Sequence, residues 1–166
     1  MPVNIALLTV TDTRTLDTDK SGNILVKKFE ESNRKLIDRK ICKDNREDIK
    51  KIFINWTKKK EIDVILTTGG TGLTGRDITP EALDEIADKH VPGFGEIFRY
   101  ISLETVGTSS IQSRACAVLS NGKYIFALPG SSGGVTDAWD KILIHQLDIN
   151  HKPCNFVELL PRLKEK

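Results

Sequence analysis

The stretch Val64–Leu83, VILTTGGTGLTGRDITPEAL, contains residue types that bind phosphate groups. Its apolar, β-branched start predicts a buried strand, and a glycine-dense loop follows. Thr79 is the predicted N-cap of the next helix, with Pro80 at its first position. Glycines let backbone N–H groups approach a ligand closely, and the positive end of a helix dipole favours an anion. The stretch therefore predicts a phosphate site, with Asp77 beside it as a partner for a phosphate-bound cation.

The loop Gly70–Gly75 also matches GxGxxG, a pattern found in dinucleotide-binding folds. In those folds a helix follows at once, and a second strand ends in an acidic residue roughly 20 residues further on. That position is Glu96 here, beside the glycine- and proline-marked stretch Val91–Gly95, which does not resemble a strand. We therefore treat a dinucleotide fold as the weaker interpretation. No Gly-Lys-Ser/Thr follows the loop, which excludes a P-loop.

Two aspartates, Asp44 and Asp77, are expected to follow strand ends and to converge. Two carboxylates near a phosphate loop that lacks a P-loop lysine suit Mg²⁺ held by oxygen ligands and nucleotide phosphates. The alternative is that Asp44 is a turn residue and Asp77 caps the helix at Thr79. Spacing alone leaves both interpretations open.

A second segment, Gly107–Arg114, is rich in hydroxyl groups and is predicted to be a loop or a helix start. Four of its side chains could bind an anionic substrate: Ser109, Ser110, Ser113 and Arg114. Arginine suits this role because its guanidinium pairs well with phosphate. A surface loop whose side chains cap a helix is an alternative of equal weight.

The 166 residues, 39% hydrophobic and 29% charged, predict one domain over residues 1–166 with a sizeable core. The net charge is only +2 and basic residues are spread along the chain, so neither nucleic acid nor a membrane is an expected partner. We expect no signal peptide or membrane span. Cys42, Cys116 and Cys154 form neither a CxxC pair nor a disulfide framework, which favours reduced thiols in a cytoplasmic protein.

Predicted strands and helices alternate along the chain. The strands are Val3–Val10, Lys35–Ile41, the run from Val64, Ala115–Leu119 and Tyr124–Leu128. The helices are Ile24–Arg34 with Ser21 as its cap, Asn45–Lys59, Pro80–Lys89, Phe94–Leu103 and Val135–Leu147. Asn121-Gly122 is a strong hairpin signal. We therefore predict a three-layer α/β/α sandwich with a mostly parallel mixed sheet.

Polar or glycine-rich segments follow the predicted strand ends. They are Thr11–Ser21, Lys43–Asn45 with Gly69–Asp77, and Pro129–Gly134. If the strands are parallel, these segments meet at the edge where ligands bind in open α/β sheets. We assign nucleotide or phosphate binding to Asp12, Gly69, Gly70, Thr71, Gly72, Pro129, Gly130 and Ser131.

The stretch Thr67–Leu83 resembles the signature of the MoaB/MogA family of molybdenum cofactor biosynthesis, which is shared by related domains of gephyrin and MoeA. The resemblance covers nearly the whole chain. It includes PGFGEIF at Pro92–Phe98, QSRA at Gln112–Ala115, FALPGS at Phe126–Ser131 and HKPCNF at His151–Phe156.

This resemblance implies a three-layer α/β fold in a homotrimer or homohexamer. The best understood members adenylylate molybdopterin with ATP and Mg²⁺ and release pyrophosphate. The two functional aspartates of the family fall on Asp44 and Asp77, which implies that both are catalytic and bind the metal. The pterin phosphate falls near Ser110 to Arg114. Other molybdenum cofactor biosynthesis proteins are further expected partners.

Two other functions remain open. The chain could bind the pterin or act as a scaffold without turnover, or it could be an unrelated nucleotide-binding enzyme. Pyrophosphate release that depends on molybdopterin distinguishes the enzyme from the scaffold. Thermal shifts with molybdopterin test the unrelated enzyme, because a ligand that binds only the native state raises the unfolding temperature.

Overall fold

The computed structural model describes residues 2–165, which contain a six-stranded mixed sheet in the order β2-β1-β3-β6-β5-β4. The strands are β1 (Asn4–Val10), β2 (Lys35–Cys42), β3 (Val64–Thr68), β4 (Lys89–His90), β5 (Cys116–Ser120) and β6 (Lys123–Leu128). Strands β2, β1, β3 and β6 run parallel, and β5 is antiparallel to both of its neighbours. The mostly parallel sheet and its antiparallel hairpin are thus confirmed.

Helices cover the sheet on both faces. They are α1 (Lys20–Glu31), α2 (Arg46–Lys58), α3 (Thr79–Asp84), α4 (Pro92–Val106), α5 (Ser132–Ala138), α6 (Ile144–Gln146) and α7 (Phe156–Leu159). Short 3₁₀ helices span Gly107–Gln112 and Leu160–Arg162. A π-helical turn at Trp139–Leu143 joins α5 to α6. The single helix predicted over Val135–Leu147 is therefore three consecutive helical segments.

The central strands are buried on both faces, as their sequences require. All five residues of β3 are buried, which fits an apolar run at the centre of a parallel sheet. One core lies between the sheet and α1, α4 and α5, and it includes Phe29, Phe98 and Trp139. The other lies between the sheet and helices α2 and α3, and it includes Phe53 and Trp56. These two cores make the three predicted layers.

The β5–β6 turn has the backbone conformation that its sequence predicts. Asn121 has φ 47° and Gly122 has φ 74°, so both residues lie in the left-handed region. Two-residue hairpin loops of this kind match the right-handed twist of the strands. Strand β6, the second strand of the hairpin, runs parallel to β3, so both strands end at the same edge of the sheet.

The start of α1 differs from the prediction. The helix begins at Lys20, and its N-cap is Asp19 rather than Ser21. The Asp19 carboxylate accepts a hydrogen bond of 3.0 Å from the backbone N–H of Gly22. Aspartate and serine both favour the N-cap position. Asp19 takes this position because it also contacts Thr9 of β1 and Arg39 of β2.

The start and end of α3 were also predicted wrongly. Thr79 is the first helical residue, and the N-cap Ile78 makes no side-chain cap bond. The Thr79 hydroxyl instead donates to the Gly69 carbonyl oxygen at 2.9 Å. Helix α3 ends at Asp84, before the predicted Lys89, and the two-residue edge strand β4 follows. A tertiary hydrogen bond thus replaces the expected local cap.

The ends of the four parallel strands lie level. Val10 pairs with Cys42, Thr9 with Thr68, and Thr68 with Leu128. Strand β1 has β2 on one side and β3 on the other, so the chain passes from β1 to β2 in one direction and then crosses back over β1 to β3. Ligands of open α/β sheets bind at such a reversal point, outside the carboxyl ends of the strands. Within residues 2–165, the structure contains no helix with the length and apolarity to cross a membrane.

Candidate functional site

A cleft of about 410 Å³, the main cleft, lies at the carboxyl ends of β1, β2, β3 and β6. The predicted site residues that line it are Asp12, Asp44, Gly69, Gly70, Asp77, Gly130 and Ser131. They come from the four segments expected to meet at this edge. The loops after parallel strands therefore do converge here.

The glycine loop after β3 is pressed against β1 and α3. Gly69 and Gly70 have φ values of 97° and 68°, a conformation that side-chain-bearing residues rarely adopt. A Cβ on Gly69 would overlap the carbonyl oxygen of Val10, and one on Gly70 would overlap the Thr79 hydroxyl. The Gly70 carbonyl accepts a hydrogen bond of 3.0 Å from the Thr79 N–H. Glycine is therefore required at both positions.

The second glycine-rich loop packs on the first. A Cβ on Gly130 would stand 3.3 Å from the Cα of Gly69. The carbonyl of Pro129 accepts a hydrogen bond of 2.7 Å from the Thr68 hydroxyl. Ser131 caps α5 by accepting a hydrogen bond from the Gly134 N–H. The two loops therefore form one continuous wall of the main cleft.

Four carboxylates line the main cleft, of which Asp12, Asp44 and Asp77 follow strand ends and Asp19 precedes α1. Asp12 accepts a hydrogen bond of 3.0 Å from Nε of Arg76, and this arginine lowers the pKa of Asp12. Burial raises the pKa of Asp44, and the negative charges of Asp12 and Asp77 raise it further. The Asp44 backbone N–H also donates to Oδ1 of Asp12 at 3.3 Å, which brings these two residues into direct contact.

Asp77 closes a short turn inside the glycine loop. Its Oδ2 accepts hydrogen bonds from the Thr74 N–H at 2.9 Å and from the Thr74 hydroxyl at 2.8 Å. The N-cap of α3 is Ile78, so the alternative that Asp77 caps this helix is wrong. The turn holds the Asp77 side chain at the wall of the main cleft.

Thr71 and Gly72 are placed differently from the first two residues of the loop. Neither lines the main cleft. Thr71 is buried, and its carbonyl accepts a hydrogen bond of 2.9 Å from the Arg114 N–H. A Cβ on Gly72 would stand 2.7 Å from Oδ2 of Asp77. These two residues shape the loop around Asp77.

The floor of the main cleft contains a buried ion pair that the sequence analysis missed. Asp19 is 1% exposed and accepts hydrogen bonds from the Thr9 hydroxyl at 2.6 Å and from Nη2 of Arg39 at 2.9 Å. Burial by itself raises the pKa of Asp19, but these bonds and the one from Gly22 outweigh it and lower the pKa. The sequence signal that could have identified it is the residue type of Asp19, since aspartate favours the N-cap position and lies two residues before Ser21.

We expect Asp19→Asn to destabilise the fold by about 3 kcal/mol at neutral pH, the lower end for breaking a buried ion pair, since it leaves Arg39 without its partner. A lowered native pKa stabilises the fold above the ordinary aspartate pKa, and this contribution is lost as pH falls through the native value. Thermal unfolding from neutral to acidic pH measures this contribution. The difference in stability between wild type and Asp19→Asn is expected to become smaller at acidic pH. A difference that does not change with pH would contradict the role of the Asp19 charge.

A second cavity of about 590 Å³, the serine cavity, lies between α4, the 3₁₀ helix Gly107–Gln112 and the start of α5. Ser109, Ser110 and Ser113 line it together with Pro129. Its wall shares Ser131 and Ser132 with the main cleft. Three of the four residues predicted to bind an anionic substrate thus come together, beside the second glycine-rich loop.

Arg114, the fourth residue of that set, does not line the serine cavity. Its guanidinium donates to the carbonyl oxygens of Gly72 at 2.7 Å and Asp77 at 2.9 Å. It also forms an ion pair with Glu81, in the first turn of α3. The side chain therefore lies against the back of the glycine loop.

Comparisons with known proteins identify the family of this chain. A family described as "Probable molybdopterin binding domain" matches residues 6–149. The molybdenum cofactor biosynthesis protein B of Escherichia coli strain K12 is 44% identical over 156 residues, which cover 94% of this chain and 92% of the relative. The protein of the same name from Bacillus cereus is 42% identical over 146 residues, or 87% of this chain and 86% of the relative.

Solved structures show the same architecture. A crystal structure of molybdenum cofactor biosynthesis protein B has a TM-score of 0.89 and 38% identity, and the match covers 100% of this chain and 98% of the other. The tungsten cofactor synthesizing protein MoaB from Pyrococcus furiosus has a TM-score of 0.75 and 32% identity, with coverage of 86% and 91%. The family match and the relatives span most of the sequence, so this chain belongs to the MoaB branch of the MoaB/MogA family.

Proposed function

We propose that this chain acts in molybdenum cofactor biosynthesis by binding molybdopterin and adenylylating it with MgATP, with release of pyrophosphate. The observation that carries this proposal is the pair of adjoining cavities. The main cleft combines Asp44 and Asp77 with a glycine loop, and it shares Ser131 and Ser132 with the serine cavity. A nucleotide in the main cleft and a pterin phosphate in the serine cavity would meet at the wall that the two cavities share.

The residues of the main cleft fit a magnesium ion. Asp44 and Asp77 would hold it, because both line one cleft. A cation would also offset the burial and the neighbouring negative charges that raise the pKa of Asp44. Within residues 2–165, no three His, Cys, Asp or Glu side chains form a metal-binding group, so nucleotide phosphates and water would complete the coordination. The ion would supply Lewis-acid polarisation of a phosphoryl oxygen.

The chain itself contributes binding and orientation. The terminal phosphate of molybdopterin is already a nucleophile, so attack on the α-phosphate of ATP needs no strong base. The glycine loop would present its backbone to a phosphate in the main cleft, because the positive φ of Gly69 and Gly70 gives the loop its tight path there. The serines of the second cavity would orient the attacking phosphate. Catalysis in this proposal is therefore positioning combined with electrostatic stabilisation.

The direct test uses the purified chain with molybdopterin, ATP and Mg²⁺. We expect pyrophosphate release and an adenylylated pterin detected by mass spectrometry, both of which require all three components. Reactions with EDTA or without the pterin are the controls. Molybdopterin binding without pyrophosphate release would contradict the enzyme and favour the scaffold function.

We also propose that the chain forms a homotrimer or homohexamer, as the family resemblance implies. Helix α4 and the following 3₁₀ helix expose large apolar side chains, including Tyr100 at 70% and Ile111 at 79%. Exposed apolar side chains of this size are typical of interaction surfaces. We expect Tyr100→Asp combined with Ile111→Asp to reduce the mass measured by light scattering to that of a monomer. Leu159→Asp, at a separate exposed position, is the control, and a monomeric wild type at micromolar concentration would contradict the proposal.

A further inference from the structure

The guanidinium of Arg114 is bound to three acceptors around the glycine loop. Nε donates to the Gly72 carbonyl, Nη2 donates to the Asp77 carbonyl, and Nη1 pairs with the Glu81 carboxylate. Its own backbone N–H donates to Thr71 at the start of the same loop. These contacts join residues more than 30 positions apart in the chain, and they bracket Asp77 on both sides.

We propose that Arg114 is a positioning residue that fixes the backbone of Gly72–Asp77 and thereby aims the Asp77 carboxylate into the main cleft. This inference rests on the proposed adenylyl transfer. It gives Arg114 a role distinct from direct contact with the pterin phosphate, which its sequence position beside Ser113 had suggested. The role belongs to this arginine because a planar guanidinium can hold two carbonyls and a carboxylate at once.

The loop needs such an anchor. Leu73 is 66% exposed, and the segment around it leads to Arg76 and Asp77, which line the main cleft. Inside the segment, Asp77 is bonded only to Thr74 on the same short turn, which shapes the turn without tying it to the rest of the fold. Arg76 ties the segment to Asp12 through an ion pair on the exposed side, and the bonds from Arg114 tie its backbone to the fold on the other side. The ion pair with Glu81 holds the guanidinium in place and raises the pKa of Arg114.

The same residue links the two cavities. Ser113 lines the serine cavity, and the next residue, Arg114, holds the loop that carries Asp77. A shift of the segment that contacts the pterin would therefore move the guanidinium and with it the loop. Since a misplacement of about 1 Å costs roughly a hundredfold in rate, this anchor affects the chemical step even without touching a substrate.

The test compares Arg114→Gln and Arg114→Lys with wild type. We expect the single-turnover rate of Arg114→Gln to fall roughly a hundredfold while the dissociation constant for molybdopterin stays at its wild-type level. Arg114→Lys keeps the charge opposite Glu81 but not the fork that reaches both carbonyls, so it is expected to remain slower than wild type. Amide hydrogen exchange at Thr74, Asp77 and Thr79 is expected to accelerate in both variants, since these amides bond within the anchored loop.

Arg34→Gln is the matched control. Arg34 also donates to backbone carbonyls, those of Ser32, Ile144 and Leu147, but it lies outside both cavities. Its variant is expected to lose stability without a change in single-turnover rate or in loop exchange.

Two results would overturn the inference. One is weaker molybdopterin binding in Arg114→Gln with normal loop exchange, which would make Arg114 a substrate contact. The other is a single-turnover rate and an amide hydrogen exchange of the loop that are both unchanged in Arg114→Gln. If wild type itself releases no pyrophosphate, adenylyl transfer fails as the function. Amide hydrogen exchange of the loop in Arg114→Gln then tests the positioning role by itself. Faster exchange than in wild type supports the role, and unchanged exchange overturns it.

Discussion

Asp77→Asn is expected to slow single-turnover formation of adenylylated molybdopterin by roughly a thousandfold, with little change in molybdopterin affinity. The amide oxygen of asparagine can still accept both hydrogen bonds from Thr74, so the turn is expected to persist. What is lost is the negative charge that would hold Mg²⁺. Metal polarisation is worth several kcal/mol of transition-state stabilisation, which corresponds to about three powers of ten in rate.

The measurement is a single-turnover assay beside a binding titration with molybdopterin. Asp84→Asn is the matched control, because it makes the same charge change at the end of α3, on a side chain that does not line the main cleft. Asp44→Asn is expected to behave like Asp77→Asn, since Asp44 lines the same cleft. A near-normal rate in Asp77→Asn would leave this residue only its role in the turn with Thr74.

Gly70→Val is expected to abolish ligand binding in the main cleft and to lower stability. The φ of 68° is strained for any side-chain-bearing residue, at a cost of about 1–3 kcal/mol. The new Cβ would also overlap the Thr79 hydroxyl and would stand 3.1 Å from Oδ1 of Asp44. The variant therefore disturbs the start of α3 and a proposed metal ligand together. For a chain of this size, Tm falls by roughly 2–4 °C per kcal/mol.

Gly75→Val is the matched control in the same loop. A Cβ on Gly75 has no heavy atom within 4 Å, and its φ is not positive. We expect this variant to keep nearly normal Tm and to bind molybdopterin and MgATP. Thermal unfolding and isothermal titration of both variants make the comparison. Normal ligand affinity in a folded Gly70→Val variant would show that the ligands do not bind at this loop.

Local sequence patterns were sufficient for most of the fold. The apolar run from Val64 and the Asn121-Gly122 turn each determine their structure through nearby residues. The cap of α1 could not be chosen in this way. Asp19 and Ser21 are both good caps, and Asp19 takes the position because it also binds Thr9 and Arg39. These partners are distant in the chain, so no local pattern identifies them.

In the candidate site, too, local sequence patterns predict some features, and others depend on residues distant in the chain. Glycine-rich and acidic segments after strands predicted which residues meet in the main cleft, because parallel strands end at one edge. The pairing of Asp12 with Arg76 and the contacts of Arg114 were not predictable. Arginine after a serine-rich segment suggests phosphate binding by residue type, whereas its partners depend on the three-dimensional path of a loop more than 30 residues away. The roles assigned to Asp44, Asp77 and the serines stay predictions.

The strand order also determines when the site can form during synthesis. Asp12, Asp44 and the glycine loop belong to the first half of the chain, but Gly130 and Ser131 follow β6, which inserts beside β3. A nascent chain that ends before Lys123 therefore has the first walls of the main cleft and lacks the last one. Ligands that need the complete cleft bind only after Ser131 has left the ribosome. They can stabilise only a chain that already includes Ser131, and the folding of the earlier segments must proceed without them.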